Sequence, residues 1–325
     1  MNVRTNAPCG REHEQGVQPE LVSPSPLAGR RLPAAVTVLA ALVLSACGGS
    51  GGGDTTPPPP PPPAPTVTSI VVGTPFYSRS LLITVNGTRL DLLPAVTSAA
   101  CTGLQRSTTA PNVSTATQGF YTCTVAATGA ATVAVAFNGT ALATQTYTVP
   151  EPQVTLSLSN GAGVAGDVVL TLNPTLAPIT VNNFLRYTQD GYYNGTIFHR
   201  VVSTFVAQGG GFLPITPGQP VQEKPGLRPP IVLEISGGLS NTALTVAMAR
   251  TPVSDSATAQ FFINLVDNLF LNPNATSAGY AVFGVVTGGV DVVTALGAAP
   301  CAPLAGVSEC APNPNVLIAA AAQTR

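Results

Sequence analysis

Apolar positions in this chain fall into short runs, and most of those runs carry the signature of strands. Between residues 66 and 150, β-branched runs alternate with Gly, Asn and Pro breaks. Runs at 69–72, 81–85, 121–125 and 131–137 predict strands. The pairs Asn86-Gly87 and Asn138-Gly139 predict hairpin turns, because Asn-Gly tolerates the positive φ angles of a tight two-residue loop. This stretch reads as a small β-sandwich of immunoglobulin-like type, although a chain without Trp cannot supply the buried tryptophan of true immunoglobulin domains. Strand signals resume at 153–158, 167–172, 231–234, 244–249, 261–265, 280–286 and 315–324. A helix is predicted between the second and third of these, with Val181, Phe184, Leu185 and Thr188 on one face, Thr180 as N-cap and Gly191 at its end. A second, shorter helix is predicted over 290–296.

One apolar run differs from the rest. Arg30-Arg31 precede the apolar residues 32–44, which end in Leu44-Ser45-Ala46-Cys47 before a glycine cluster. Spanning a bilayer takes about 20 apolar residues, so the run is too short and reads as the core of a signal peptide. Leu-Ser-Ala-Cys resembles a bacterial lipobox, which makes Cys47 the expected site of lipidation and the first residue after cleavage. Residues 47–65 then form a linker: a glycine-rich stretch at 48–53 and seven prolines at 57–63. At about 3.1 Å per residue, the prolines give roughly 20 Å of stiff polyproline II spacer. The predicted organisation is a signal segment over 1–46, this linker, the sandwich over 66–150 and a second domain over 151–325. The expected location is the bacterial envelope, anchored by lipid and facing the periplasm, with the outer membrane favoured by Gly48.

Charge is scarce. Only 8% of the residues are charged, against about 25% in ordinary soluble proteins, and the net charge is −1. No basic field exists to attract nucleic acid. Of the six cysteines, Cys9 would leave with the signal segment and Cys47 would carry lipid. In an oxidising compartment the remaining four fall into two local disulfides, Cys101–Cys123 and Cys301–Cys310. Neither pair is a CxxC, and no metal-ligand spacing occurs, so neither a metal nor a cofactor is expected. The string Gly161-Ala162-Gly163-Val164-Ala165-Gly166 satisfies G-x-G-x-x-G, yet it leads into a β-branched strand rather than a helix, and it reads as a long hairpin loop.

The candidate chemistry lies in Phe198-His199-Arg200-Val201-Val202, in Gln208-Gly209-Gly210-Gly211, and in Ala259-Gln260-Phe261-Phe262-Ile263-Asn264. Together these strings resemble the cyclophilin family of peptidyl-prolyl isomerases, over about residues 154–324. The resemblance implies a mainly β fold: a closed antiparallel barrel with two capping helices, here preceded by the sandwich. It also implies that Arg200 is catalytic. Isomerisation makes no covalent bond; the C–N bond must twist against a barrier of about 18–20 kcal/mol, which localises a lone pair on the prolyl nitrogen. A guanidinium aimed at that nitrogen stabilises the twisted amide more than the planar one.

By the same resemblance Phe205, Val206, Phe262, Leu271 and Tyr280 form a slot for the proline ring. Gln208 and Gln260 grip the peptide, and the backbone at Ala249, Arg250 and Thr251 pairs with it. His199 is structural, and Phe261 and Phe283 are barrel core. Val206 stands where the family usually has methionine, Phe270 where many members have tryptophan, Tyr280 where they have histidine and Arg250 where they have asparagine. The strings Ala-Met-Ala-Arg-Thr and Gly-Tyr-Ala-Val-Phe-Gly are similar to bacterial members. The expected function is cis-trans isomerisation of X-Pro bonds in exported proteins, whose Pro-containing segments are the expected partners. The alternatives are a non-catalytic module that holds proline peptides, and a protein whose working part is the sandwich.

Overall fold

The computed structural model describes residues 60, 62–216, 219–235, 237–303 and 310–325. The segment expected to be a signal peptide, the expected lipidation site Cys47 and most of the expected linker lie outside the described residues.

Residues 66–149 form two sheets. Strands β1 (Thr66–Val72), β2 (Ser80–Thr88), β4 (Cys101–Arg106) and β5 (Gln118–Val125) pair in the order β1-β2-β5-β4. Strands β3 (Ala95–Ser98), β6 (Gly129–Phe137) and β7 (Thr140–Val149) pair in the order β3-β6-β7. Leu81, Ile83 and Val85 of β2 and Val133 and Val135 of β6 are buried at alternate positions and share one core with Tyr121 and Val125. This is the period-two pattern of half-buried strands. Cys101 and Cys123 are disulfide-bonded between the adjacent strands β4 and β5.

The two Asn-Gly pairs part company. Asn138 (φ 48°) and Gly139 (φ 79°) make the predicted two-residue turn between β6 and β7. Asn86-Gly87 instead lies within β2, opposite a bulge where β1 skips a residue between Val67 and Ser69. A Cβ on Gly87 would sit 1.9 Å from the carbonyl oxygen of Thr66, so glycine is needed for close backbone approach and not for a turn.

Eight strands among the described residues close the barrel. They are β8 (Gln153–Ser159), β9 (Ala165–Leu172), β10 (Thr196–Val201), β11 (Val206–Gly209), β12 (Thr245–Met248), β13 (Phe261–Asn264), β14 (Val282–Gly288) and, after a short disulfide-linked pair, β17 (Val316–Gln323). Their order is β10-β11-β13-β12-β14-β9-β8-β17, and β17 pairs back onto β10. The short pair, β15 (Cys301–Pro303) and β16 (Cys310–Pro312), is joined by Cys301–Cys310. Val154, Leu156 and Leu158 of β8 and Val168, Leu170 and Leu172 of β9 point inward in strict alternation. The G-x-G-x-x-G string is the β8–β9 hairpin loop, where the side-chain oxygen of Asn160 accepts the N–H groups of Ala162 and Val164.

Helix α1 (Pro178–Gln189) covers one end of the barrel core. Its ring Phe184 meets Tyr193, Phe261 and Phe283 with centroids 5.0–5.3 Å apart. Thr180 is not its N-cap: the helix starts at Pro178, which leaves Thr180 inside the first turn with its hydroxyl buried. Glu234, from a distant segment, does the capping, its two carboxylate oxygens accepting the N–H groups of Ile179 (3.2 Å) and Thr180 (2.9 Å). The sequence pattern of that segment predicts a strand. Among the described residues of this segment only Ile231 makes a bridge, to Ala257, and Leu233 donates its N–H to the Asp255 side chain, so the run 231–234 is a loop tied down by carboxylates. Helix α2 (Val290–Gly297) turns Val292, Val293 and Leu296 inward.

Tyr77 of the sandwich is buried against the barrel domain. Its hydroxyl accepts a hydrogen bond from Asn182 of α1, and its carbonyl accepts one from the Gln323 side chain of β17.

Candidate active site

Strands β10, β11 and β13 lie side by side, with Arg200 opposite Gln208 and Gln208 opposite Phe262. Residues that share a register row project from the same face of a sheet. Phe198 and Phe261, which share the next row across Gly209, therefore point into the barrel core, while Arg200, Gln208 and Phe262 point out; a bulge between Phe198 and Arg200 leaves His199 outside both rows, with its ring against Phe212. The four-residue connection from Val202 to Phe205 is a tight turn, closed by Phe205 N–H to Val202 O at 2.8 Å and Val202 N–H to Val206 O at 2.9 Å. It brings Phe205 back over the guanidinium of Arg200, whose central carbon lies 5.3 Å from the ring centroid.

On this outer face Val206, Ala247, Phe262, Leu271 and Val282 form a small apolar cluster of their own, with Phe205 and Tyr280 packed at its edge. Phe205, Val206, Phe262, Leu271 and Tyr280 of this group line a pocket of about 200 Å³, together with Arg200, Gln208, Ala249 and Arg250. Phe262 and Tyr280 meet edge to face at 5.6 Å, and Phe205 stacks on Phe270, also at 5.6 Å. A larger cleft of about 680 Å³, between the sandwich and α1, holds none of the expected site residues.

Nine of the expected site residues thus meet at one pocket, and Gln260 and Thr251 stand outside its lining. Gln260 accepts a hydrogen bond from the Gln208 amide (3.0 Å), and Gln208 accepts a long one from Arg200 (3.5 Å). Gly211 has no room for a side chain beside this chain of groups: a Cβ there would come within 2.5 Å of Gln260 Cγ. Thr251 is exposed and turned toward Ser256. The N–H groups of Ala249 and Thr251 are already engaged, with Gln260 O and Ser256 Oγ, and so are not open donors for a peptide.

His199 is buried with its ring edge-on to Phe212 at 4.6 Å. Burial first, and the neighbouring Arg200 charge second, lower its pKa to about 4. At neutral pH it is an uncharged packing group beside the arginine.

The family model for cyclophilin type peptidyl-prolyl cis-trans isomerase matches residues 154–322. The chain belongs to the cyclophilin family. The peptidyl-prolyl cis-trans isomerase cyp18 of Streptomyces antibioticus is 55% identical over 135 residues, 41% of this chain and 78% of that protein. Peptidyl-prolyl cis-trans isomerase B of Escherichia coli K12 is 50% identical over 131 residues, 39% of this chain and 76% of that protein. A solved cyclophilin type isomerase of Cryptosporidium parvum covers 54% of this chain and 98% of its own, at 21% identity and a TM-score of 0.42. The chain is a cyclophilin-type isomerase, and the sandwich lies outside the matched residues.

Beneath the cyclophilin pocket runs a relay of four asparagines that pattern reading did not pick out. Asn268 donates to Asn264 Oδ1 (2.8 Å), Asn264 to Asn241 Oδ1 (3.1 Å), Asn241 to Asn272 Oδ1 (3.1 Å) and Asn272 to Ser240 Oγ (2.6 Å). Asn268 also donates to the carbonyl of Phe205 (2.9 Å), and its own carbonyl accepts the N–H of Leu271. Asn241, Asn264 and Asn268 are buried, so their amides must satisfy one another. The relay ties the Phe205 wall of the pocket to the Leu271 wall. Its only trace in the sequence is a set of amides among otherwise apolar neighbours.

Proposed function

We propose that this isomerase acts on X-Pro bonds of exported proteins, with Arg200 stabilising the twisted amide while Phe205, Val206, Phe262, Leu271 and Tyr280 receive the proline ring. The observation that carries this reading is the juxtaposition of a permanently charged donor with apolar pocket walls: Arg200 lines the pocket, backed by the Phe205 ring and by Gln208. A guanidinium cannot lose its proton beside apolar side chains, where an ammonium can. Its charge is worth more against a developing lone pair in such a site than in water. Replacing Arg200 by Lys keeps the charge and loses the planar fork; peptide exchange measured by magnetisation transfer is expected to fall steeply. Undiminished exchange in that variant would refute the assignment.

The address belongs to the same proposal. The apolar run 32–44 and the lipobox string support export and lipidation at Cys47, and the proline run supports a spacer between membrane and folded domains. Fatty-acid labelling compared between the wild type and Cys47→Ala tests this, and equal label in both would exclude the anchor. For residues 66–150, the strand order β1-β2-β5-β4 and β3-β6-β7 supports an immunoglobulin-like reading, since constant-type domains pair their strands A-B-E-D and C-F-G. The disulfide differs from that of antibodies, joining neighbours in one sheet rather than bridging two.

A further inference from the structure

The charge around the pocket is one-sided. Arg200 and Arg250 both line it and no carboxylate does, in a chain whose basic and acidic residues are almost balanced, 13 to 14. Arg250 is also fixed in place. Its Nε–H donates to Gly279 O (2.9 Å), and its Nη1 donates to Thr251 O (2.9 Å) and Pro252 O (3.4 Å). Its guanidinium carbon lies 4.7 Å from the centroid of the Tyr280 ring, which is itself a wall of the pocket.

All these partners are neutral, so none cancels the charge, and Arg250 forms no ion pair among the described residues. A guanidinium has five N–H donors. The two on Nη2 make no hydrogen bond among the described residues, and the side chain is only half-buried. The group is therefore anchored through Nε and Nη1 by carbonyls and by an aromatic face, with its Nη2 amino group left to donate a charge-assisted hydrogen bond to a carboxylate. Because the pocket holds about 200 Å³, it takes little beyond a proline ring, and a charge on its rim meets the residues next to that proline.

We propose that Arg250 is an anion subsite of the isomerase, and that the enzyme favours segments in which Asp or Glu flanks the proline. The inference rests on the pocket being the substrate site. An ion pair formed at a partly exposed position is worth a roughly two- to fivefold preference. It weakens with salt, since the Debye length falls from about 10 Å at 0.1 M to about 3 Å at 1 M.

The test uses the full chain and matched peptides with Glu, Gln or Lys immediately before or immediately after the proline. The quantity read is the ratio of kcat/KM for the Glu peptide to that for the Gln peptide, in low salt and in 1 M NaCl, for the wild type and for Arg250→Gln. Taking the ratio within each protein cancels any general loss of catalysis in the variant. The expected result is a ratio of roughly two to five at one flanking position, with Lys disfavoured, collapsing toward one both in 1 M NaCl and in Arg250→Gln. Equal rates for Glu and Gln at both positions would overturn the proposal. So would a Glu preference that persists in Arg250→Gln, which would move the subsite to Arg200. If the wild type fails to isomerise even the Gln peptides, the reading of the pocket as the substrate site fails, and this inference falls with it.

Discussion

At the scale of single residues, two buried polar groups, Asn268 and His199, give separate signatures. Asn268 joins the carbonyl of Phe205 to the asparagine relay, so its loss removes one of the two hydrogen bonds that hold this carbonyl on the pocket wall. In Asn268→Ala, Asn264 Oδ1 loses its donor in a buried site, at a cost of about 1–3 kcal/mol, while the Phe205 carbonyl keeps the N–H of Leu265. Peptide affinity is expected to fall roughly tenfold, equivalent to about 1.4 kcal/mol, while turnover at saturation changes far less. A lower unfolding midpoint with unchanged peptide affinity would make the relay purely structural. His199 gives a pH signature. Its folded pKa of about 4 lies below its ordinary 6.5, so the unfolded state binds the proton more readily. Its contribution is fully present above pH 6.5 and is lost as the pH falls toward 4, by roughly 3 kcal/mol at most. Denaturant unfolding between pH 7 and 5 should show this slope, and His199→Phe should flatten it; an equal slope in both would assign the effect to other groups.

At the scale of elements, the strands were legible because their inward positions alternate, as in Val154, Leu156 and Leu158. Failures came where one local signal served two purposes. Asn-Gly at 138–139 is a turn because both residues take positive φ, whereas at 86–87 the glycine gives β1 room to lie close. Thr180 looked like a cap, but the helix recruits Glu234, which is remote in sequence and thus invisible to a local rule. The run 231–234 is apolar enough for a strand, yet the neighbouring strands already satisfy one another, and it stays a loop. The two glycines therefore respond differently to the same change. Gly87→Ala drives a Cβ into the Thr66 carbonyl and is expected to cost about 1–3 kcal/mol by overpacking. Gly139→Ala meets nothing within 4 Å and bears only the strain of its positive φ, about 1 kcal/mol. Denaturation midpoints of the two variants in the order reverse to this would contradict the account of β2.

At the scale of the whole molecule, the sequence located most of the pocket, since register forces Arg200, Gln208 and Phe262 onto one face once the strands are recognised. It could not reveal what lies between distant segments: the asparagine relay, the orientation of Arg250 against Tyr280, or the seating of Tyr77 between α1 and β17. Those depend on tertiary proximity, which no spacing along the chain encodes. The central claim is that the pocket binds proline peptides through its apolar walls and accelerates their exchange through the Arg200 guanidinium. The decisive measurement follows both quantities in one sample, the dissociation constant and the exchange rate of a bound X-Pro peptide, for the wild type and Arg200→Ala. The account predicts that affinity is largely kept while exchange slows by roughly 10²–10³-fold, as when a donor to developing charge is removed. Equal slowing of exchange and loss of affinity, or exchange that continues unchanged, would contradict it.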